Sequence, residues 1–302
     1  MRYPLGLLAV AVAACTTPLT GPLPPTATPQ ELHSRVGAFA QPTQDGRLAT
    51  LKSQLEAAGL AYTVEDFDGK RPTPARGYNV VVRTGPESGR EILLTAHYDA
   101  VVLPGDKLVD GAIDNAASVV AVIETAKRVA GRTRHPVRLI LMDQEELGLV
   151  GAEAWVAAHG VGNVGAVINA DVNGNGLTLI YGLNNGAQSL FMIDAVKAVC
   201  AERAVSCLDF PEYPPSDDQV FAAAGAPVIS IAHQPGAEAE KLRAFLLNPP
   251  TAQAPPDPAS IPEVFTLIHA PNDTLARVEP ETLAQAADIF TALVMKLDAQ
   301  LP

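Results

Sequence analysis

Basic residues are scarce. Lysine and arginine number 21 against 33 aspartates and glutamates, a formal charge of −12, and they form no run. A nucleic-acid binder needs a dense cationic face that releases counterions from phosphates, so the balance argues against that class. The acidity reads mostly as solvated surface, although clustered carboxylate metal ligands produce it too. There is no internal repeat. The apolar run at residues 5–14 is too short to span a bilayer. With Arg2 ahead of it, it reads as the export signal of residues 1–14, and residues 15–30, rich in proline and threonine, read as an extended tether. At 302 residues and 48% hydrophobic content, the remaining 31–302 can bury one sizeable core.

Cysteines are only three, an odd number for an exported chain. The run Val12-Ala13-Ala14-Cys15 resembles the bacterial lipobox, in which the cysteine is acylated and becomes the mature N-terminus. That would make the protein a periplasmic or cell-surface lipoprotein, touching a membrane only through lipid on Cys15. An ordinary cleaved signal with an incidental cysteine is the alternative. Cys200 and Cys207 then remain. They are close enough in sequence to staple a helix end to the next loop in an exported compartment, or they are two buried thiols.

Leu48, Leu51 and Leu55 recur at helical spacing and Gly59 follows as a C-cap. Strands are expected at 61–64, 79–83, 91–96, 137–142, 164–170 and 228–231. Helices are expected at 115–130, 151–159, 187–201 and 279–297, and a proline-rich loop at 248–262. Strands alternating with helices predict an α/β fold: a mixed, mostly parallel central sheet with helices on both faces.

Acidic and histidine clusters sit just past several of these strands, where open α/β sheets form their sites. His97-Tyr98-Asp99 pairs an imidazole with a carboxylate able to hold its second N–H. Asp114 lies in Gly111-Ala112-Ile113-Asp114-Asn115-Ala116-Ala117-Ser118. It is either a plain helix N-cap or a carboxylate bridging two metals, with small residues letting the backbone approach. In Asp143-Gln144-Glu145-Glu146, neighbouring glutamates leave the strand in different directions, so one can ligate and the other act as general base. Asp171 ends the next strand, and His269 opens His269-Ala270-Pro271-Asn272-Asp273-Thr274.

Taken in order, H-x-D, D-N-A, E-E, D and H resemble the M28 family of zinc aminopeptidases from about residue 75 to the end. Ser216-Asp217, Phe221 and Gly225-Ala226-Pro227 are similar to a further segment of that family. The resemblance implies a zinc exopeptidase fold and two Zn2+ ions acting on peptide substrates. It assigns His97 and Asp171 to one ion, Glu146 and His269 to the other, and Asp114 to both. Glu145 would be the general base, Asp99 the partner of His97, and Tyr213 a contact for the oxyanion, or merely a packed loop aromatic. The sequence departs from the family at Asp218, where a histidine is usual, at Ala270, where a threonine is, and before His269, which no tyrosine precedes. Those changes bear on substrate preference.

Glutaminyl cyclases share much of the series with a single zinc, but typically place serine where Asn115 stands. M20-type carboxypeptidases insert a dimerisation domain before the last histidine, for which the stretch after Asp171 has no room. A non-catalytic binding protein on the same fold would usually have lost a ligand or the base, and none is lost.

Overall fold

The computed structural model describes residues 18–70, 75–251 and 256–302. Residues 1–17, which include the expected export signal and Cys15, lie outside them, as do residues 252–255 of the proline-rich loop. Among the described residues ten strands form: β1 (Tyr62–Asp68), β2 (Arg76–Thr84), β3 (Glu91–His97), β4 (Val102–Leu103), β5 (Lys107–Leu108), β6 (Val137–Met142), β7 (Val164–Ala170), β8 (Thr178–Gly182), β9 (Cys207–Phe210) and β10 (Val228–Gln234). Eight of them make one sheet in the order β1-β2-β6-β3-β7-β10-β8-β9, and β4 with β5 makes a small hairpin. The central four, β6, β3, β7 and β10, run parallel. Antiparallel pairings flank them, β1–β2–β6 on one side and β10–β8 on the other.

The central strands are mostly apolar because both of their faces are covered; Arg138 in β6 and Asn169 in β7 are among the polar exceptions. Alternate residues go to opposite faces. Val80, Ile92, Leu94, Leu139 and Ile168 join the larger core, and Val81, Leu93, Ile140 and Val167 the smaller one. Over the larger core lie α1 (Pro29–Gly37), α2 (Gln44–Ala57), α3 (Ala117–Val129), α5 (Leu190–Arg203) and α9 (Pro280–Gln300); over the other face lie α4 (Val150–His159), α6 (Asp218–Ala223) and α7 (Gly236–Leu247). Short α8 (Val264–Leu267) adds Val264 and Leu267 to the packing. The architecture is the mixed α/β sheet covered on both faces that the sequence predicts.

Several element limits differ from expectation, those of β1 (expected at 61–64), β2 (79–83), β10 (228–231) and α5 (187–201) among them, and two of the differences have a local cause. The packed fold starts before residue 31: α1 begins at Pro29, behind a capping box of Thr28 and Glu31. Residues 18–28 make no element of their own but are fastened to the domain. Leu19 N–H donates to Gly131 O at 2.8 Å, Arg128 to Pro24 O at 3.0 Å, and Ala27 N–H to buried Glu124 at 3.1 Å. The expected helix 115–130 begins at Ala117, because Asp114 (φ −117°, ψ 87°) and Asn115 (φ −141°, ψ 26°) are not helical. Strands β8 and β9 and helices α6 and α7 were not expected at all. Each strand is short, and α7 buries only Ala239 and Leu242, too sparse a stripe to read from spacing.

Cys200 and Cys207 are disulfide-bonded, with Cα atoms 6.2 Å apart. The bond ties the end of α5 to the start of edge strand β9 and contributes on the order of 2 kcal/mol for so short a loop. Among the described residues, no helix is long and apolar enough to cross a membrane.

Candidate metal centre

Parallel pairing sets the carboxyl ends of β6, β3 and β7 side by side. His97 is the last residue of β3, Asp171 follows β7, and Glu145 and Glu146 follow β6 after a two-residue turn. The loops before α3 and after α8 bring in Asp114 and His269. All five expected ligands therefore converge. His97 Nε2 lies 3.1 Å from Asp114 Oδ1 and 3.4 Å from Asp171 Oδ1. His269 Nε2 lies 3.0 Å from the other Asp114 oxygen and 3.1 Å from Glu146 Oε2. Donor atoms lie within 4.8 Å of one another in three groups: His97–Glu145–Glu146, and the two sets His97–Asp114–Asp171 and Asp114–Glu146–His269. Asp114 belongs to both of those sets.

The local backbone serves this convergence. Gln144, Val172 and His269 have φ of 62°, 57° and 57°. Such left-handed values are costly outside glycine and cluster where a site dictates the chain path. Gly111 (φ 55°) admits no side chain: a Cβ there would lie 2.7 Å from Asp114 O and 2.9 Å from Ala100 Cβ. This is the close approach for which the small residues around Asp114 are suited.

Asp99 does more than face His97. Its Oδ1 is 3.5 Å from His97 Nδ1, and its carboxylate accepts from the N–H groups of Glu145 at 3.1 Å and Glu146 at 3.4 Å. It thus joins the β3 end to the glutamate turn. Tyr213 is buried beside Phe210 and lines a recess of about 60 Å3 next to Asp171, with Val172, Ile180, Val264 and Ile268 as apolar walls. Burial holds its hydroxyl pKa well above the usual value, with Asp171 and Asp218 adding to the effect. Asp218, in place of the family's histidine, accepts from Asn185 and from the Ser216 N–H.

Three residues to which the sequence reading gave no positioning role hold the site in place. Asp273 accepts from Ile113 N–H at 2.7 Å and Asp114 N–H at 3.1 Å, so it holds the backbone of the shared carboxylate. Asn115 donates to Ala170 O at 3.0 Å and accepts from Val172 N–H at 3.2 Å, clasping Asp171 from both sides. Arg47 of α2 is fully buried and donates to four backbone carbonyls, those of Tyr98, Phe39, Asp110 and Gly111. Burial lowers its pKa to about 10, against the attraction of Asp99, Asp273, Asp114 and Glu146. Asp273 stands four residues after His269 and could have been singled out. Nothing near Arg47 in sequence marks it.

Arg47→Met should cost about 3 kcal/mol of stability, since carbonyls left without donors in a buried place are expensive. Urea unfolding of the zinc-free protein checks this; a loss under about 1 kcal/mol would mean that water or neighbours replace the guanidinium.

The residues fit a pair of cations. Glu146 Oε1 and Asp171 Oδ1 are buried without a hydrogen-bond partner among the described residues, a costly state that positive charge offsets, and mixed imidazole and carboxylate donors suit zinc. In the metal-free protein, protons take the cations' place. Hydrogen bonds to Asp114 and Glu146 raise His269 to about 10. At His97, burial pulls the pKa down but is outweighed by the negative charge of Glu145 and of nearby Asp114, Asp171 and Asp99, leaving it well raised. Burial pushes Glu145 up to about 10 and Glu146 to about 7. Zinc needs neutral imidazole. At pH 7 its binding should therefore release protons, that of His269 among them, and affinity should climb with pH until His269 titrates. Calorimetry in buffers of different ionisation enthalpy reads the number directly; no buffer dependence would contradict it.

A model of peptidase family M28 matches residues 79–294, more than two thirds of the chain. The chain belongs to peptidase family M28. As an M28 member it carries a metallopeptidase-type function, with zinc the expected metal. A vacuolar membrane protease of Yarrowia lipolytica is 32% identical over 124 residues, a match that takes in 37% of this chain and only 12% of that protein. Among solved structures, an Acidobacteriales bacterium glutaminyl cyclase aligns with a TM-score of 0.71 at 19% identity, covering 95% of this chain and 100% of that one. A zinc aminopeptidase from Bacillus subtilis aligns with a TM-score of 0.56 at 21% identity, covering 72% of this M28 chain and 49% of the other. At such identities the likeness is one of fold.

Proposed function

We propose that the protein is an exported aminopeptidase that removes the N-terminal residue of peptides at a site holding two zinc ions. The observation that carries this reading is the sharing of Asp114 between two ligand sets, 3.1 Å from His97 and 3.0 Å from His269. His97 and Asp171 would hold one ion, Glu146 and His269 the other, and Asp114 both. Bound there, zinc would lower the pKa of water towards about 7, polarise the substrate carbonyl, and draw down the raised pKa of Glu145.

Glu145 is the neighbour left out of both sets and serves as general base. Its carboxylate takes a proton from the attacking water and returns it to the departing nitrogen. Asp99 keeps the His97 ring oriented through Nδ1. Tyr213, held protonated by burial, offers an O–H donor to the oxygen on which charge develops.

Electrostatics favours the amino end of a substrate. Its ammonium group meets a carboxylate-rich site, whereas an α-carboxylate finds no arginine or lysine in the recess beside Asp171. The apolar walls there suit the N-terminal side chain. Metal analysis with turnover of leucyl p-nitroanilide tests the reading. Two zinc ions per chain and hydrolysis are expected. One ion, with ring closure of N-terminal glutamine instead, would identify a glutaminyl cyclase, and zinc binding without turnover a binding protein.

Export rests on the lipobox-like Val12–Cys15 run and on the Cys200–Cys207 disulfide, which needs an oxidising compartment. Cys15→Ser should move the protein out of the membrane fraction or leave it unprocessed; unchanged fractionation and mature mass would end the lipoprotein reading.

A further inference from the structure

The metal-ligand cluster borders a second concavity, about ten times the recess beside Asp171. It is a groove of about 620 Å3 between the start of α2, the β4–β5 hairpin and the turn that carries Glu146, and Asp99 and Glu146 form part of its wall. Its floor is apolar, with Leu108 packed on Ala100 and Val109. Its walls carry two large apolar side chains open to solvent, Val102 at 54% and Leu147 at 43% exposure. Asp45 and Asp106 add negative charge to the lining. Lys70 is the only lysine or arginine among the described lining residues, and its ammonium group donates to Leu147 O at 3.2 Å.

A peptide cut after its first residue extends to both sides of the metals. The recess of about 60 Å3 beside Asp171 has room for one side chain at most. Among the described cavities, the groove is the other one that reaches the ligands. We propose that the groove receives the leaving side of the peptide, selecting an apolar residue directly after the scissile bond and disfavouring an acidic one. Apolar walls reward a branched side chain there by burying it, and Asp45 and Asp106 repel a carboxylate. The inference rests on the aminopeptidase reading.

The zinc-loaded enzyme is assayed on Leu-Leu-NH2, Leu-Gly-NH2 and Leu-Asp-NH2, capped so that no terminal carboxylate intervenes. The expected kcat/KM for Leu-Leu-NH2 is about tenfold above that for Leu-Gly-NH2, the usual worth of a few methylenes in an apolar site. Leu-Asp-NH2 should fall below both. In Val102→Asp, and independently in Leu147→Asp, the Leu-to-Gly ratio should drop towards one; both side chains are solvent-exposed, so the fold tolerates the change. Equal rates for the three substrates in the parent enzyme, or an undiminished ratio in both variants, overturns the inference. Failure to cleave any of the three sinks the aminopeptidase reading and this inference with it, a result distinct from indiscriminate cleavage.

Discussion

Glu145→Gln is expected to purify as a folded protein that still binds two zinc ions and turns over about 10² times or more slowly than the parent, the usual scale for losing a general base. The glutamine cannot take a proton from water, yet Glu145 lies outside the two sets joined by Asp114 and only in the group with His97 and Glu146, so neither shared set loses a donor. KM should change little, because the loss is confined to the transition state. The neighbouring Glu146→Gln behaves differently: Glu146 Oε2 lies 3.1 Å from His269 Nε2, so that variant should bind one ion weakly and recover partly in excess zinc. Metal analysis and steady-state kinetics on the two proteins give the comparison. Should Glu145→Gln lose metal while Glu146→Gln keeps both ions, the roles of the pair are reversed.

Asp114→Asn should be the most damaging single change. One Asp114 oxygen serves the His97 set and the other the His269 set, so a carboxamide weakens both and removes a charge that two dications need. Zinc affinity should fall at both positions by more than the roughly 10–100-fold lost with an outer partner, and activity should approach background. Zinc titration against a chromophoric chelator measures it. An Asp114→Asn protein that retained one ion at parental affinity would show that the two sets do not share this carboxylate. The protein should remain folded, since Asp273 grips the Ile113 and Asp114 amides rather than the Asp114 side chain.

Sequence made the middle of the sheet readable, because β6 and β7 are apolar apart from Arg138 and Asn169 and are followed by acidic residues; their limits, Val137–Met142 and Val164–Ala170, agree with expectation to the residue. It was less informative at the sheet edge, where β8 and β9 are short and their burial comes from α5 and α7 rather than from their own pattern. The ligand residues could be found because their chemistry is unusual at strand ends. What holds them could not. Asn115, Asp273 and Arg47 act through backbone amides and carbonyls, and any residue presents those. Asp99 was expected to face His97, but its grip on the Glu145 and Glu146 amides depends on two strand ends meeting, which only the sheet order decides.

Arg47 also bears on where this enzyme can be cut. It belongs to α2, upstream of the span 79–294 that the family model recognises, yet it is stitched to the Tyr98, Asp110 and Gly111 carbonyls inside that span. The recognised span is therefore not a self-sufficient module. A fragment beginning at residue 79 would retain all five ligands on paper, while the turns that present His97 and Asp114 would lose the guanidinium that ties them together. Grafting or trimming this peptidase should respect α2 as a working part.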